Sequence, residues 1–288
     1  MGGSIEIVMP QLTGVQSGWS FESPAASWTT PSTGAATAQS TTWVPSTRTL
    51  TIVTATNAIA GSAPQVLRIT NARTPSSVVA ANTATITSVS GATLDSGSLT
   101  IAEITAGALS SATFATATDT PGFESLATVT FTTAGRVETG GKVVLVMPAE
   151  SGAQHSWRFT DGGSPSTETS GTSNAPTIAF TTPSSSTPTA SSVGYTLGTR
   201  TLIFTVGAND LAQATQHVFT ITKALTPSSV VGVNNVITTT QDAQDKSVDT
   251  TSSMATDQIV VGALSSATFA TATDTPGFES PATVTFTT

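Results

Sequence analysis

Apolar and polar residues alternate along much of the chain, in short runs bounded by Gly, Pro, Ser and Asn clusters. A period of two predicts half-buried β-strands, because successive side chains of a strand point to opposite faces. In the C-terminal half this pattern predicts strands at residues 127–133, 142–147, 156–160, 177–181, 200–206, 217–222, 235–239, 257–261 and 266–273. Short strands separated by frequent turn signals, without a long amphipathic helical pattern, predict a β-sandwich.

A long internal repeat is the strongest signal in the chain. Residues 107–133 and 262–288 are identical except that Leu126 of the first copy is replaced by Pro281 in the second. Identity confined to this segment favours a restrained role at a junction between domains, because a recent duplication would have left the whole repeat alike.

Weaker matches in the same order extend the repeat over the chain. They join residues 2–10 to 140–148, 47–50 to 199–202 and 74–79 to 226–231, with an insertion after Phe159. Trp19 and Phe21 align with Trp157 and Phe159, and we expect all four in hydrophobic cores. Aromatic positions kept in register favour two tandem domains over two diverged halves of one fold.

The two ends of the chain complement each other. In residues 127–133, Ala127, Val129 and Phe131 share one face, which predicts a half-buried first strand for the second domain. The first copy begins almost at its Gly-Gly and has no such strand before it. The chain ends on the same strand, at residues 282–288, with no domain after it.

The predicted domain organisation follows from this count of strands. Residues 1–118 form copy 1, which lacks its first strand, and residues 127–273 form copy 2. Residues 119–126 and 274–281 are linkers, and residues 282–288 are a donor strand for a following domain.

The spare strand predicts an interface between successive domains. We expect its residues to be Ala282, Val284 and Phe286 on the donor, with Ile5, Ile7 and Met9 beside the groove that receives them. An unpaired edge with an open apolar groove tends to accept a strand. The strand then comes from the next molecule of a head-to-tail homopolymer, from a neighbour in a longer covalent array, or from the chain's own tail folding back.

Composition restricts the possible partners. Hydrophobic residues make up 38% of the chain, charged residues 9%, and the net charge is −8. An acidic chain with few scattered cations is a poor ligand for nucleic acid or for an anionic membrane. No apolar run is long enough to span a membrane. The hydroxyl-rich, charge-poor composition is typical of extracellular or cell-surface proteins, and serine, threonine and proline together predict O-linked glycans at residues 30–47, 164–173 and 181–192.

Residues that could perform chemistry are few. The chain contains no cysteine, and its two histidines, His155 and His217, have no histidine at the aligned repeat positions. No nucleophile elbow or phosphate-binding loop is present. Asp242, Asp245, Asp249 and Asp257 lie in one stretch without a calcium-loop spacing, and we expect them to be solvated. The sequence therefore predicts a protein that is not an enzyme and has no cofactor or metal.

The motifs resemble those of a known class of repeat. A strand ending in Thr-Thr is followed by Gly-Gly, a strand ending in Met-Pro, and later by Thr-Arg-Thr-Leu and Thr-Pro-Ser-Ser. This order resembles tandem immunoglobulin-like repeats of microbial surface and filament proteins, including those of algae, other protists and bacteria. The resemblance implies two immunoglobulin-like β-sandwiches in an extracellular filament protomer, or in a stalk or adhesin segment of a longer repeat protein.

Overall fold

The computed structural model describes residues 3–30, 34–59, 61, 63–160, 176–277 and 279–287. Its strands fall into an N-terminal and a C-terminal group. The first group is β1 (Ser4–Val8), β2 (Ser20–Phe21), β3 (Ala26–Thr30), β4 (Ala38–Val44), β5 (Thr49–Thr54), β6 (Val66–Ile69), β7 (Ala72–Arg73), β8 (Asn82–Ser90) and β9 (Ala92–Ile101).

The second group follows β9 along the chain. It comprises β10 (Gly107–Ala108), β11 (Ser110–Thr116), β12 (Glu124–Thr132), β13 (Lys142–Val146), β14 (Arg158–Phe159), β15 (Ile178–Thr182), β16 (Ala190–Thr196), β17 (Thr201–Val206), β18 (Gln216–Leu225), β19 (Asn235–Gln241), β20 (Ser247–Ala255), β21 (Ser265–Thr271) and β22 (Ala282–Thr287). The described residues contain strands and no helix, which confirms the predicted all-β class. They also contain no helix long and apolar enough to cross a membrane.

The N-terminal unit has one broad sheet and two short ribbons. The sheet has the strand order β4-β5-β1-β8-β9, and the ribbons pair β2 with β7 and β3 with β6. Leu50 and Ile52 are fully buried between these layers, whereas Trp19, Phe21 and Trp28 pack against them only partly buried.

The C-terminal unit is a fuller sandwich. Its six-stranded sheet has the order β10-β20-β19-β13-β17-β16, and the opposite sheet has the order β11-β12-β18-β14, with β15 also on β18. Phe204 of the first sheet packs edge-on against Phe219 of the second, with ring centroids 5.2 Å apart. The core between the sheets also contains Trp157 and Phe159, as expected from the repeat.

The repeated Thr-Arg-Thr-Leu motif forms the same turn in both units. Arg48 and Arg200 both have left-handed backbone conformations, with φ of 55° and 54°. Their side-chain Nε groups donate to the carbonyls of Met9 and Met147, at 3.1 and 3.2 Å. The arginine therefore ties each turn to the end of the adjacent central strand.

The predicted strands agree with the structure over most of the C-terminal unit. Residues 257–261 form only an isolated bridge, between Ile259 and Val231. Strands β16 and β20 lie outside the predicted strands, because β16 is rich in serine and threonine and β20 interrupts its apolar residues with Asp249.

The predicted domain boundaries need correction. Strand β11 lies within the predicted copy 1, yet it pairs with β12 and so belongs to the C-terminal unit. Strand β12 begins at Glu124, inside the predicted linker. Strand β21 lies within the predicted copy 2 but pairs with β22. The reason is common to both cases: each predicted linker joins two strands that pair with each other, so these strands cannot belong to different domains.

Candidate assembly interface

The first repeat segment forms a hairpin that completes the C-terminal unit. Strands β11 and β12 pair antiparallel, and β12 pairs along its other edge with β18. Ala127, Val129 and Phe131 are fully buried and Phe114 is 2% exposed, so one face of the hairpin lies in the core. This agrees with the alternation predicted for residues 127–133.

The second repeat segment forms the same hairpin, but the apolar face of this hairpin is exposed. In β11–β12 the partners are Ser110 and Thr132, Thr113 and Thr130, and Phe114 and Val129. In β21–β22 they are Ser265 and Thr287, Thr268 and Thr285, and Phe269 and Val284, with the bulge at the same place. Phe269, Val284 and Phe286 are 69%, 61% and 51% exposed.

The N-terminal unit has an edge that corresponds to β18. Residues 64–73 align without a gap with residues 216–225, because the repeat matches on either side have the same spacing. In the C-terminal unit, β18 has β12 on one edge and β14 and β15 on the other. Within the described residues, β6 and β7 pair on one edge only, with β3 and β2.

The predicted groove residues do not lie at the open edge formed by β6 and β7. Strand β1, which carries Ile5 and Ile7, is paired with β5 on one edge and with β8 on the other. It therefore cannot accept a donor strand by backbone pairing, and the expectation of a strand-accepting edge beside it is corrected. Ile7 and Met9 are 7% exposed core residues, and Ile5 packs against them. Ile7 and Met9 correspond to Leu145 and Met147, which share a core with Phe131, so these positions face the hairpin layer across the sandwich.

A polar junction joins the two units beside the hairpin. The Asp242 carboxylate accepts hydrogen bonds from Ser77 Oγ at 2.7 Å, Ser76 Oγ at 3.1 Å and the Gln16 backbone N–H at 2.9 Å. Glu138 forms an ion pair with Arg73 of the N-terminal unit. The Thr-Pro-Ser-Ser motif therefore contributes hydroxyl groups to this contact.

Burial and hydrogen bonding act in opposite directions on Asp242. Burial by itself would raise the pKa of the carboxyl group. Hydrogen bonds from Ser77 and from the backbone N–H groups of Gln16, Lys246 and Gln244 outweigh it, so the pKa of Asp242 lies below its ordinary value. Asp242 is consequently charged at neutral pH, which strengthens the bonds it accepts.

A second buried carboxylate holds the segment that follows the hairpin. Asp249 Oδ1 accepts the backbone N–H of Gly135 at 2.8 Å, and its own N–H donates to Thr240 Oγ1 at 2.9 Å. Burial raises the pKa of Asp249, although hydrogen bonds from Gly135, Ala134 and Thr240 partly oppose this shift. Asp242 and Asp249 are 1% and 0% exposed, so the prediction that they are solvated is wrong.

Both histidines are at least partly shielded from solvent. His217 is fully buried in β18 beside Phe131, with 6.0 Å between ring centroids, and its Nε2 lies 3.4 Å from the Ala212 carbonyl oxygen. Burial lowers the pKa of His217, and the contact with Ala212 opposes this only in part. Burial, followed by the charge of Arg158, also lowers the pKa of His155. No group of three or more potential metal-ligating side chains occurs in the part of the chain that the structure describes.

Comparisons with known proteins add little to these observations. No protein-family model matches the chain. No curated protein matches it either. Among solved structures, the C-terminal domain of the AgI/II polypeptide BspA of Streptococcus agalactiae aligns over 89% of this chain and 84% of its own, with 8% identity and a TM-score of 0.31. The serine-rich repeat protein Srr2 of Streptococcus agalactiae aligns over 86% and 80%, with 10% identity and a TM-score of 0.26.

Proposed function

We propose that the chain is a structural protomer of an extracellular filament that assembles head to tail by β-strand donation. The observation that carries the proposal is the duplication of one hairpin in two environments. The copy β11–β12 is buried in the C-terminal unit, whereas β21–β22 exposes the same apolar face to solvent. An exposed apolar strand tends to pair with another chain, and folded proteins normally cover such a strand.

A second molecule has an acceptor site that matches the exposed hairpin. Its N-terminal unit has the one-sided edge of β6 and β7 and a core in which Trp19, Phe21 and Trp28 are only partly buried. Donor and acceptor surfaces differ and lie at opposite ends of the chain, so the contact is heterologous. Repetition of a heterologous contact that does not close on itself produces an open filament.

The environment and further partners of the filament are part of the same proposal. A surface rich in serine and threonine, with 9% charged residues, suits an extracellular fibre. O-linked glycans are proposed at residues 30–47 and 181–192, of which residues 31–33 lie outside the described residues, as do residues 164–173 of the third predicted segment.

The alternative proposal is a stalk or adhesin segment of a longer tandem-repeat protein. One observation favours it. The hairpin β11–β12 follows β9 of the N-terminal unit along the chain and pairs with β18 of the C-terminal unit. Pairing of this hairpin with β18 therefore already links two consecutive units within one chain. An adhesin should carry one loop that differs between the repeat copies, and the insertion after Phe159 is a candidate for it; residues 161–175 of that segment lie outside the described residues.

Two forms of the protein discriminate between the proposals. Light scattering and negative-stain imaging compare the full chain with a form lacking residues 262–288, at matched concentrations. Filaments from the full chain, monomers from the shortened form and capping of growth by a synthetic peptide of residues 262–288 are expected. Monomers from both forms would refute spontaneous assembly and favour the covalent array. Filaments from both would place the interface elsewhere.

Thermal unfolding is the control for the integrity of the shortened form. Among the described residues, strands β21 and β22 pair only with each other, and they are exposed along their length. Removing them should therefore leave the thermal unfolding of both units unchanged at concentrations where the full chain is monomeric.

A further inference from the structure

We infer that the whole hairpin β21–β22, and not one strand of it, binds the edge formed by β6 and β7 of a second copy, in the register that β12 adopts on β18. The inference rests on the proposed assembly and specifies its interface. Three features of the described residues carry it: the donor hairpin, the acceptor edge and the position of the one substitution between the repeat copies.

The donor is already formed. Strands β21 and β22 have the pairing and the bulge of β11 and β12, residue for residue. Even the hydrogen bond from the Ala117 N–H to the Leu126 carbonyl recurs, from the Ala272 N–H to the Pro281 carbonyl. A lone strand would have to order on binding, whereas a preformed hairpin loses less conformational freedom.

The acceptor edge has the same irregularity as β18. The β12–β18 ladder shifts register where β18 carries Lys223, which has a φ of 61°. The aligned residue of the N-terminal unit is Asn71, which has a φ of 56° and separates β6 from β7. Just before these residues, the Thr222 and Thr70 N–H groups bond back to Thr177 and Ala25 in the same way. A hairpin shaped for one edge therefore fits the backbone of the other.

The one substitution falls where the ladder tolerates it. Leu126 lies in the register shift between Ser125 and Ala127 and has no partner in the β12–β18 ladder. Pro281 replaces it in the exposed hairpin. Proline has no backbone N–H to donate and is confined to bulges and edges of sheets, so this change leaves the proposed pairing intact.

The resulting register is specific. Ala127 and Val129 lie opposite Ile221 and Phe219, which places Ala282 opposite Ile69 and Val284 opposite Leu67. On the outer face, the same alignment places Thr283 opposite Arg68 and Thr285 opposite Val66. Leu67 and Ile69 already pack against the N-terminal core, so the donated apolar face would extend that core.

Cysteine pairing between separate molecules tests this register. The chain has no cysteine of its own, so each full-length variant carries one thiol and cannot cross-link internally. Thr283→Cys and Thr285→Cys serve as donors, and Arg68→Cys and Val66→Cys, distinguished by a size tag, serve as acceptors. Partners directly opposite lie about 4.5–5.5 Å apart, within disulfide range, whereas diagonal partners lie at about 7–8 Å.

Of the four mixtures of one donor with one acceptor, two test the proposed register and two are negative controls. Pairs 283 with 68 and 285 with 66 should form mixed disulfides at least about tenfold faster than pairs 283 with 66 and 285 with 68. Equal rates or the reverse preference, in samples that still form filaments, would overturn the register while leaving assembly intact. Loss of both cross-linking and filaments in every mixture, with filaments absent from the unmodified chain too, would overturn the proposed function as well.

Discussion

Alanine in place of Phe131 or Phe286 removes the same side chain from two copies of one strand. Phe131 is fully buried, with its ring centroid 5.8 Å from that of Phe219, so Phe131→Ala should lower the free energy of unfolding of the C-terminal unit by about 3–5 kcal/mol. Phe286 is 51% exposed, and Phe286→Ala should change the unfolding of the monomer by no more than about 0.5 kcal/mol.

The effects on assembly should be the reverse. If Phe286 becomes buried in a second copy, its loss costs about 1.4–2.8 kcal/mol of association, which raises the Kd for elongation roughly 10- to 100-fold. Denaturant titration of dilute monomer measures the first quantity, and light scattering against concentration measures the second. An interface role for Phe286 is refuted if Phe286→Ala unfolds as easily as Phe131→Ala, or if it assembles like the unmodified chain.

Three further predictions concern the junction and the core. Asp242→Asn should weaken docking of the two units by about 1–3 kcal/mol. Because the pKa of Asp242 is lowered on folding, the unmodified junction should lose stability as the pH falls below about 4, and small-angle scattering at pH 7 and pH 3 should show a larger loss in the unmodified chain than in Asp242→Asn, which keeps the Arg73–Glu138 ion pair. His217 binds a proton less readily when folded, so stability should decline as the pH falls below its ordinary pKa of 6.5; His217→Gln should flatten the melting temperature between pH 7.5 and pH 5. Gly107→Ala would place a Cβ 2.2 Å from the Asp249 carboxylate and should destabilise the monomer by about 1–3 kcal/mol in denaturant titration. Gly262→Ala, at the same repeat position, meets a methyl group at 3.3 Å and should cost less than about 0.5 kcal/mol; equal losses from the two would contradict the assigned environments.

Local pattern was sufficient to find most of the strands and the face that each buries. The alternation in residues 127–133 identified Ala127, Val129 and Phe131 as the buried side of β12, and all three are fully buried. It failed for β20, because the inward position there is occupied by Asp249, whose burial depends on hydrogen bonds from residues 134 and 135. A carboxylate paired across more than a hundred residues has no local signature.

The sequence by itself determined that the protein is all-β, that it repeats, and that one apolar strand occurs both in the chain and at its end. These properties follow from side-chain alternation and from identity between segments, which need no knowledge of neighbours. Only the tertiary structure decided that β1 is central in its sheet, that the open edge belongs to β6 and β7, and that the repeated element is a hairpin. Period-two alternation specifies which face of a strand is apolar, but the backbone edges of a strand are chemically alike, so its partners depend on contacts between distant parts of the chain.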